Sequence, residues 1–120
     1  MAKLLIHVTR GPEDPTRAAL GFLVGKAALE EGHDVSFFLA GDGVQLLRDA
    51  VLDSVNGVGT GSLRESYDAL AAGGAQFYLS AMSSAARGVT DADLEGKPAQ
   101  FAKPARLVGL TFEHDRALTY

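Results

Sequence analysis

Residues 76–89, QFYLSAMSSAARGV, decide how this chain is read. Phe77-Tyr78-Leu79 is a short apolar run of strand character. It gives way to small and polar residues, passes a run of alanines and stops at Arg87-Gly88. A buried strand that opens through a small-residue turn into a short helix is the repeating unit of α/β proteins, and their chemistry gathers at that turn. The N-terminus of the helix presents unpaired N–H groups, which suit an anion. The residues with polar chemistry here are Ser80, Ser83, Ser84 and Arg87. None of them is a nucleophile with a base beside it in the sequence.

Working outward toward the N-terminus, residues 3–9, KLLIHVT, form a continuous β-rich run, as a strand covered on both faces requires. His7 inside it reads as a hydrogen-bonded core or interface histidine. Residues 10–14, RGPED, make a loop punctuated by Gly and Pro. Asp14 as N-cap and Pro15 at the first helical position open a helix that runs to about residue 31, with Gly32 as its stop. Leu20, Leu23, Val24 and Ala27 form one apolar stripe, while Ala18, Phe22, Ala28 and Leu29 fill much of the remainder. An ordinary surface helix has one apolar face, so part of this one is expected to pack on another subunit. Residues 34–39, DVSFFL, are the second strand. Asp42 then reads as the N-cap of a helix to about Leu52, with Gln45 at the capping-box position, or else as a ligand contact. The glycine-rich link VNGVGTG over 55–61 lacks the lysine and preceding strand of a phosphate loop. Ser62-Leu63-Arg64-Glu65 is a capping box for a helix with Leu63, Tyr67 and Leu70 on one face, ended by Gly73-Gly74.

On the C-terminal side, Thr90 caps a short turn through Glu95, and Gly96-Lys97-Pro98 breaks it. Residues 99–102 are a short strand, Pro104 starts a helix to about Glu113 with Leu107, Leu110 and His114 on one face, and RALTY is a terminal strand. This alternation predicts a three-layer α/β/α architecture, flavodoxin-like, with a mostly parallel sheet of about five strands in one domain over 1–120. Ligands of open parallel sheets bind beyond the carboxyl ends of the strands. Arg10, Asp42, Ser80, Ser83, Ser84 and Arg87 are therefore expected at one rim, with Lys103 at the end of the last of these strands. Arginine and serine beside a helix N-terminus make an anion pocket. The competing structural reading makes each serine a cap and ties Arg87 to carbonyls or a carboxylate.

Composition narrows the chemistry. With 120 residues, 47% hydrophobic and 22% charged, the chain can build a core and is ordinary for a globular protein. A net charge of −4 argues against nucleic acid as a partner. No apolar run approaches the roughly 20 residues of a membrane helix. Lys3 precedes only a strand-length apolar run, so a cytoplasmic protein is expected. Zero cysteines exclude disulfides, thiolate catalysis and cysteine-ligated metal. The three histidines lack metal-ligand spacing, G-x-S-x-G is absent, and neither metal nor cofactor is expected.

Taken together, the GPEDPTRA loop, the segment AALEEGHDVSFFLAGDGV, the stretch GVGTGSLRESYDALAAGGAQFYLSAMSSAARGV and the ending HDRALTY resemble the DsrE/DsrF-like family of YchN-like fold. The resemblance implies an α/β domain that assembles into trimers or hexamers, some members of which relay sulfur as a persulfide on a cysteine. It places that cysteine at Ser80, and a second one found in some relatives at Ser83; Arg87-Gly88 matches the arginine-glycine that follows. A serine hydroxyl is not ionised near neutral pH and cannot hold a persulfide, whereas an accessible thiolate can. The expectation is a non-catalytic homo-oligomer, trimer or hexamer, that binds a small anion or a protein partner at the rim and has no sulfurtransferase activity. The alternatives are a small-substrate enzyme using Ser80 and Arg87, and a flavodoxin-like cofactor carrier.

Overall fold

Strand β1 (Lys3–Val8) is the apolar run LLIHV in extended form. The computed structural model describes residues 1–120. Helix α1 (Pro15–Glu30) begins as its cap residues dictate: the Asp14 carboxylate accepts the Arg17 N–H at 3.3 Å, and Pro15 needs no donor there. Strand β2 (Asp34–Leu39) leads into a 3-10 segment, Gly41–Leu47, and then α2 (Asp49–Ser54). A hairpin of β3 (Asn56–Gly57) and β4 (Gly61–Ser62) precedes α3 (Leu63–Ala72). There follow β5 (Gln76–Ser80), α4 (Ala81–Ala86), α5 (Asp91–Leu94), β6 (Ala99–Ala102), α6 (Pro104–Glu113) and β7 (Arg116–Thr119).

The main sheet has five strands in the order β6-β5-β2-β1-β7, and every neighbouring pair is parallel. The expected parallel α/β sheet is present. Three connections step across the sheet in one direction, and the fourth, β6 to β7, returns the other way. Right-handed crossovers therefore put α1, α3 and the α4–α5 segment toward one face and α6 on the other. The packing agrees. Ile6, Val8, Phe37, Leu39, Phe77 and Leu79 share the large core with Phe22 of α1, Leu63, Tyr67 and Leu70 of α3 and Leu94 of α5. Phe77 sits at its centre: Phe37 stacks on it at 4.8 Å, and Tyr67 lies 5.3 Å away. The second face holds only a small cluster, Leu5, Phe38 and Tyr78 under Leu110 of α6.

The chain departs from its local signals in the middle. The helix expected from Asp42 to Leu52 is broken at Arg48, whose backbone is extended (φ −66°, ψ 133°). Asp42 is not an N-cap: Ala40 holds that position, and the Asp42 carboxylate turns to Arg87 instead. Gln45 closes no capping box; its Oε1 accepts from Arg48 Nη1 at 3.4 Å. For Asp42, a guanidinium 45 residues away supplies a stronger donor than the local N–H. The link over 55–61 contains the β3–β4 hairpin, and Val58 N–H clips it to the Thr16 hydroxyl at 3.0 Å. That hairpin, α3 and the Tyr120 ring cover much of the second side of α1 within the chain. Leu20 and Leu23 of its apolar stripe remain more than a third exposed. Val58, in the hairpin against α1, and Met82, Val108 and Phe112 further off also expose apolar side chains.

His7 occupies the thinly covered face, in register with Thr119 and edge-on to Phe38 at 5.9 Å. Its Nε2 is sealed from solvent without a hydrogen-bond partner. Burial lowers the pKa of His7 from its ordinary 6.5.

Two outcomes follow. Phe77→Ala removes the centre of the aromatic core and is expected to cost about 3–5 kcal/mol in urea unfolding at unchanged m; a loss under about 1 kcal/mol contradicts the packing described. For His7 the unfolded chain takes up a proton before the folded one, so its contribution is complete above pH 6.5 and is lost as pH falls through the lower folded value. The melting temperature should fall less between about pH 7.5 and about pH 5.5 in His7→Leu than in the unaltered chain. Equal falls count against it.

Candidate functional site

The carboxyl ends of β1, β2 and β5 meet at one rim, and the loops there approach backbone to backbone. A Cβ on Gly43 would strike the Val8 carbonyl, and one on Gly11 would strike the Asp42 carbonyl. Only glycine lets the loops after β1 and β2 close this tightly.

Onto this base α4 is bolted by side chains. Ser80, at the end of β5 and 9% exposed, caps the helix: its Oγ accepts the Ser83 N–H at 3.2 Å. The Ser83 Oγ accepts the Gly41 N–H at 2.9 Å, which ties α4 to the loop after β2. Arg87, the last residue of this unit, donates from Nε to Asp42 Oδ1 at 2.8 Å and from Nη1 to the Ser83 carbonyl at 3.2 Å. Asp42, Ser80, Ser83 and Arg87 thus come together as a latch. Ser84 does not join them. It is 2% exposed, its Oγ has no partner, and it borders an apolar depression of about 230 Å³ with Ala81, Ala85, Val89 and Phe101. Arg10 is exposed in the loop after β1 and makes no hydrogen bond or ion pair. Lys103 precedes α6 and is also exposed.

Arg48 escaped the sequence reading. Its Nη2 donates to the carbonyls of Arg87, at 3.1 Å, and Gly88, at 2.6 Å, and its Nε lies 3.5 Å from Asp93 Oδ2. It holds the end of α4 against the start of α5. No local pattern marks such a residue; its partners are about 40 positions away in the chain.

The chemistry available at the rim is limited. The Ser80 hydroxyl acts as a helix cap, and no histidine stands beside it. His33 accepts the Ala2 N–H through Nδ1 at the other end of the sheet, and His114 Nδ1 contacts the Leu110 carbonyl at 2.6 Å. No three His, Cys, Asp or Glu side chains are grouped to hold a metal ion.

A parallel α/β sheet with one serine-capped, arginine-latched turn at its rim defines a class of small α/β domains. The family follows from the whole chain: the DsrE/DsrF-like family model matches residues 2–120, and the chain belongs to that family. Among solved structures it is similar to the ychN protein from E. coli, with a TM-score of 0.78 and 18% identity over 100% of both chains. It is also similar to a conserved protein of unknown function from Bacteroides thetaiotaomicron, with a TM-score of 0.71 and 13% identity over 99% of this chain and 95% of that one. At such identities the likeness is one of fold. No curated protein matches the sequence.

The latch makes a measurable claim. Side chains of Asp42 and Arg87 are 47% and 30% exposed, so their pairing is partly screened. A double-mutant cycle of Asp42→Ala and Arg87→Ala, followed by urea unfolding, is expected to give a coupling of about 0.5–1 kcal/mol. Strict additivity would show that the pair contributes nothing to stability.

Proposed function

We propose that this chain is a non-catalytic, homo-oligomeric DsrE-like protein whose rim serves recognition and not sulfur transfer. One observation carries the reading: at the position the resemblance gives to the persulfide cysteine stands Ser80, largely buried and engaged as the cap of α4. A hydroxyl so placed accepts a hydrogen bond and offers no ionised nucleophile. The rim keeps its shape through the latch, so the scaffold of the relay persists without its reactive atom.

Self-association is supported by the second sheet face. It has α6 as its one cover, and α6 turns Phe112, 86% exposed, and Val108 outward. Exposed apolar patches of this kind mark interfaces. A trimer or hexamer is the proposed assembly. The cytoplasm is the proposed compartment. No helix is long and apolar enough to cross a membrane.

A partner at the rim fits a flat surface better than a small-molecule cleft, because the depression bordering α4 is apolar and excludes Arg87 and Asp42. A small anion remains the second reading for a specific reason: Arg87 Nη2 and the whole Arg10 guanidinium have no partner within the chain.

The test combines mass and sulfur. Light scattering at micromolar concentration should report a trimer or hexamer, and Phe112→Asp should lower the mass. A clean monomer of the unaltered chain rejects the assembly. Incubated with a labelled persulfide donor, the unaltered chain should retain no sulfur after gel filtration, and Ser80→Cys should retain it. Label held by the unaltered chain rejects the non-catalytic reading. Calorimetry with sulfate and phosphate, on the unaltered chain and on Arg87→Ala, decides the second reading: a loss of about tenfold or more in affinity supports it, and no binding at millimolar concentration removes it.

A further inference from the structure

Away from the latch residues, α2, α3 and the turn after α5 enclose an open depression of about 350 Å³. Its floor is Tyr67. The ring is rooted in the core against Phe77, and the residue is only 4% exposed. Tyr67 lines the depression, and its hydroxyl makes no hydrogen bond inside the chain. Arg64, Asp68 and Asp49 line the same depression. A buried tyrosine ordinarily finds a partner for its hydroxyl. This one opens onto the depression instead.

The walls select the sign of what enters. Both cations of the depression already have their carboxylates. Arg64 donates to Asp53 at 2.9 Å and Asp49 at 3.0 Å and lies 3.6 Å from Asp68. Lys97 donates to the Asp93 carbonyl at 2.9 Å and lies 3.3 Å from Asp49. The Lys97 side chain is mostly buried beneath the pair it makes. Spare capacity is therefore on the acceptors: Glu95 has no ion pair, Asp68 holds Arg64 only loosely, and Asp49 is largely exposed. Hydrogen bonds from Arg64 and Lys97 hold the Asp49 carboxyl below the usual carboxylate range, so it stays ionised. Burial raises the Tyr67 phenol, so its hydroxyl stays protonated at neutral pH.

We propose that this depression binds an organic cation with several N–H donors, a guanidinium or amine head group, seated on the Tyr67 hydroxyl and held by Asp68, Asp49 and Glu95. Carboxylates and a hydroxyl give directed acceptors that match such a group. The same head group is carried by a free small amine or by an arginine side chain of another protein.

The full-length protein is titrated with agmatine and, separately, with the capped tripeptide acetyl-Ala-Arg-Ala-amide, and amide shifts are followed by two-dimensional NMR. Saturable shifts centred on Tyr67, Asp68 and Glu95 support the site. The tighter of the two probes then indicates whether a free amine or a peptide is its source. Tyr67→Phe keeps the core ring, and Glu95→Gln changes only a surface charge; each is expected to weaken binding about tenfold, with the melting temperature nearly unchanged. Three results overturn the proposal: no saturable shift at millimolar agmatine, shifts that sodium chloride of equal ionic strength reproduces, or saturable binding of sulfate at the same residues.

Discussion

Three connections of this chain cross one face of a parallel sheet and a single connection crosses the other, because the last strand returns to the far edge while crossovers keep one hand. Nearly everything else depends on that distribution. The crowded face takes the aromatic core of Phe22, Phe37, Phe77 and Tyr67 and bears most of the buried apolar surface. The other face is left with Leu5, Phe38 and Tyr78 under one helix, and with a histidine nitrogen that has neither solvent nor partner. A polar atom in that condition costs free energy unless something outside the chain satisfies it. The exposed Val108 and Phe112 belong to the same helix.

At the rim, local structure and long-range contacts meet in one turn. Strand, turn and short helix stand at the carboxyl end of the sheet, and the loops below are closed by glycines that admit no side chain. Most polar groups of the turn satisfy one another, Ser84 Oγ excepted. Ser80 caps, Ser83 binds the Gly41 N–H, and Arg87 is neutralised by Asp42. Each bond is individually modest, about 0.5–1.5 kcal/mol when neutral. Together they fix a turn whose hydroxyl is held by its role in the helix.

The charged depression beside α3 is built on the opposite principle. Its cations are saturated and its acceptors are not. Between the two regions runs a continuous line of contacts, from Asp49 through Lys97 to the backbone of Asp93, and from the Asp93 side chain through Arg48 to the carbonyls of Arg87 and Gly88. The packing of α5 is thus shared by both.

By itself the sequence determined what is encoded within a few residues. The runs LLIHV and FYL make strands because no solvated face interrupts them, and Asp14-Pro15, Ser62 and Thr90 start helices because a cap acts over three positions. Alternation of those elements was enough for the parallel sheet, and the gathering of Ser80, Ser83 and Arg87 followed from one turn. The tertiary structure alone decided the rest. Asp42 gives up a local cap for a guanidinium 45 residues away, Arg48 joins α4 to α5, and Tyr67, an apolar face residue by its spacing, turns its hydroxyl to a ring of charges. Side-chain partners at such separations are set by strand register and crossover hand, which no window of adjacent residues contains.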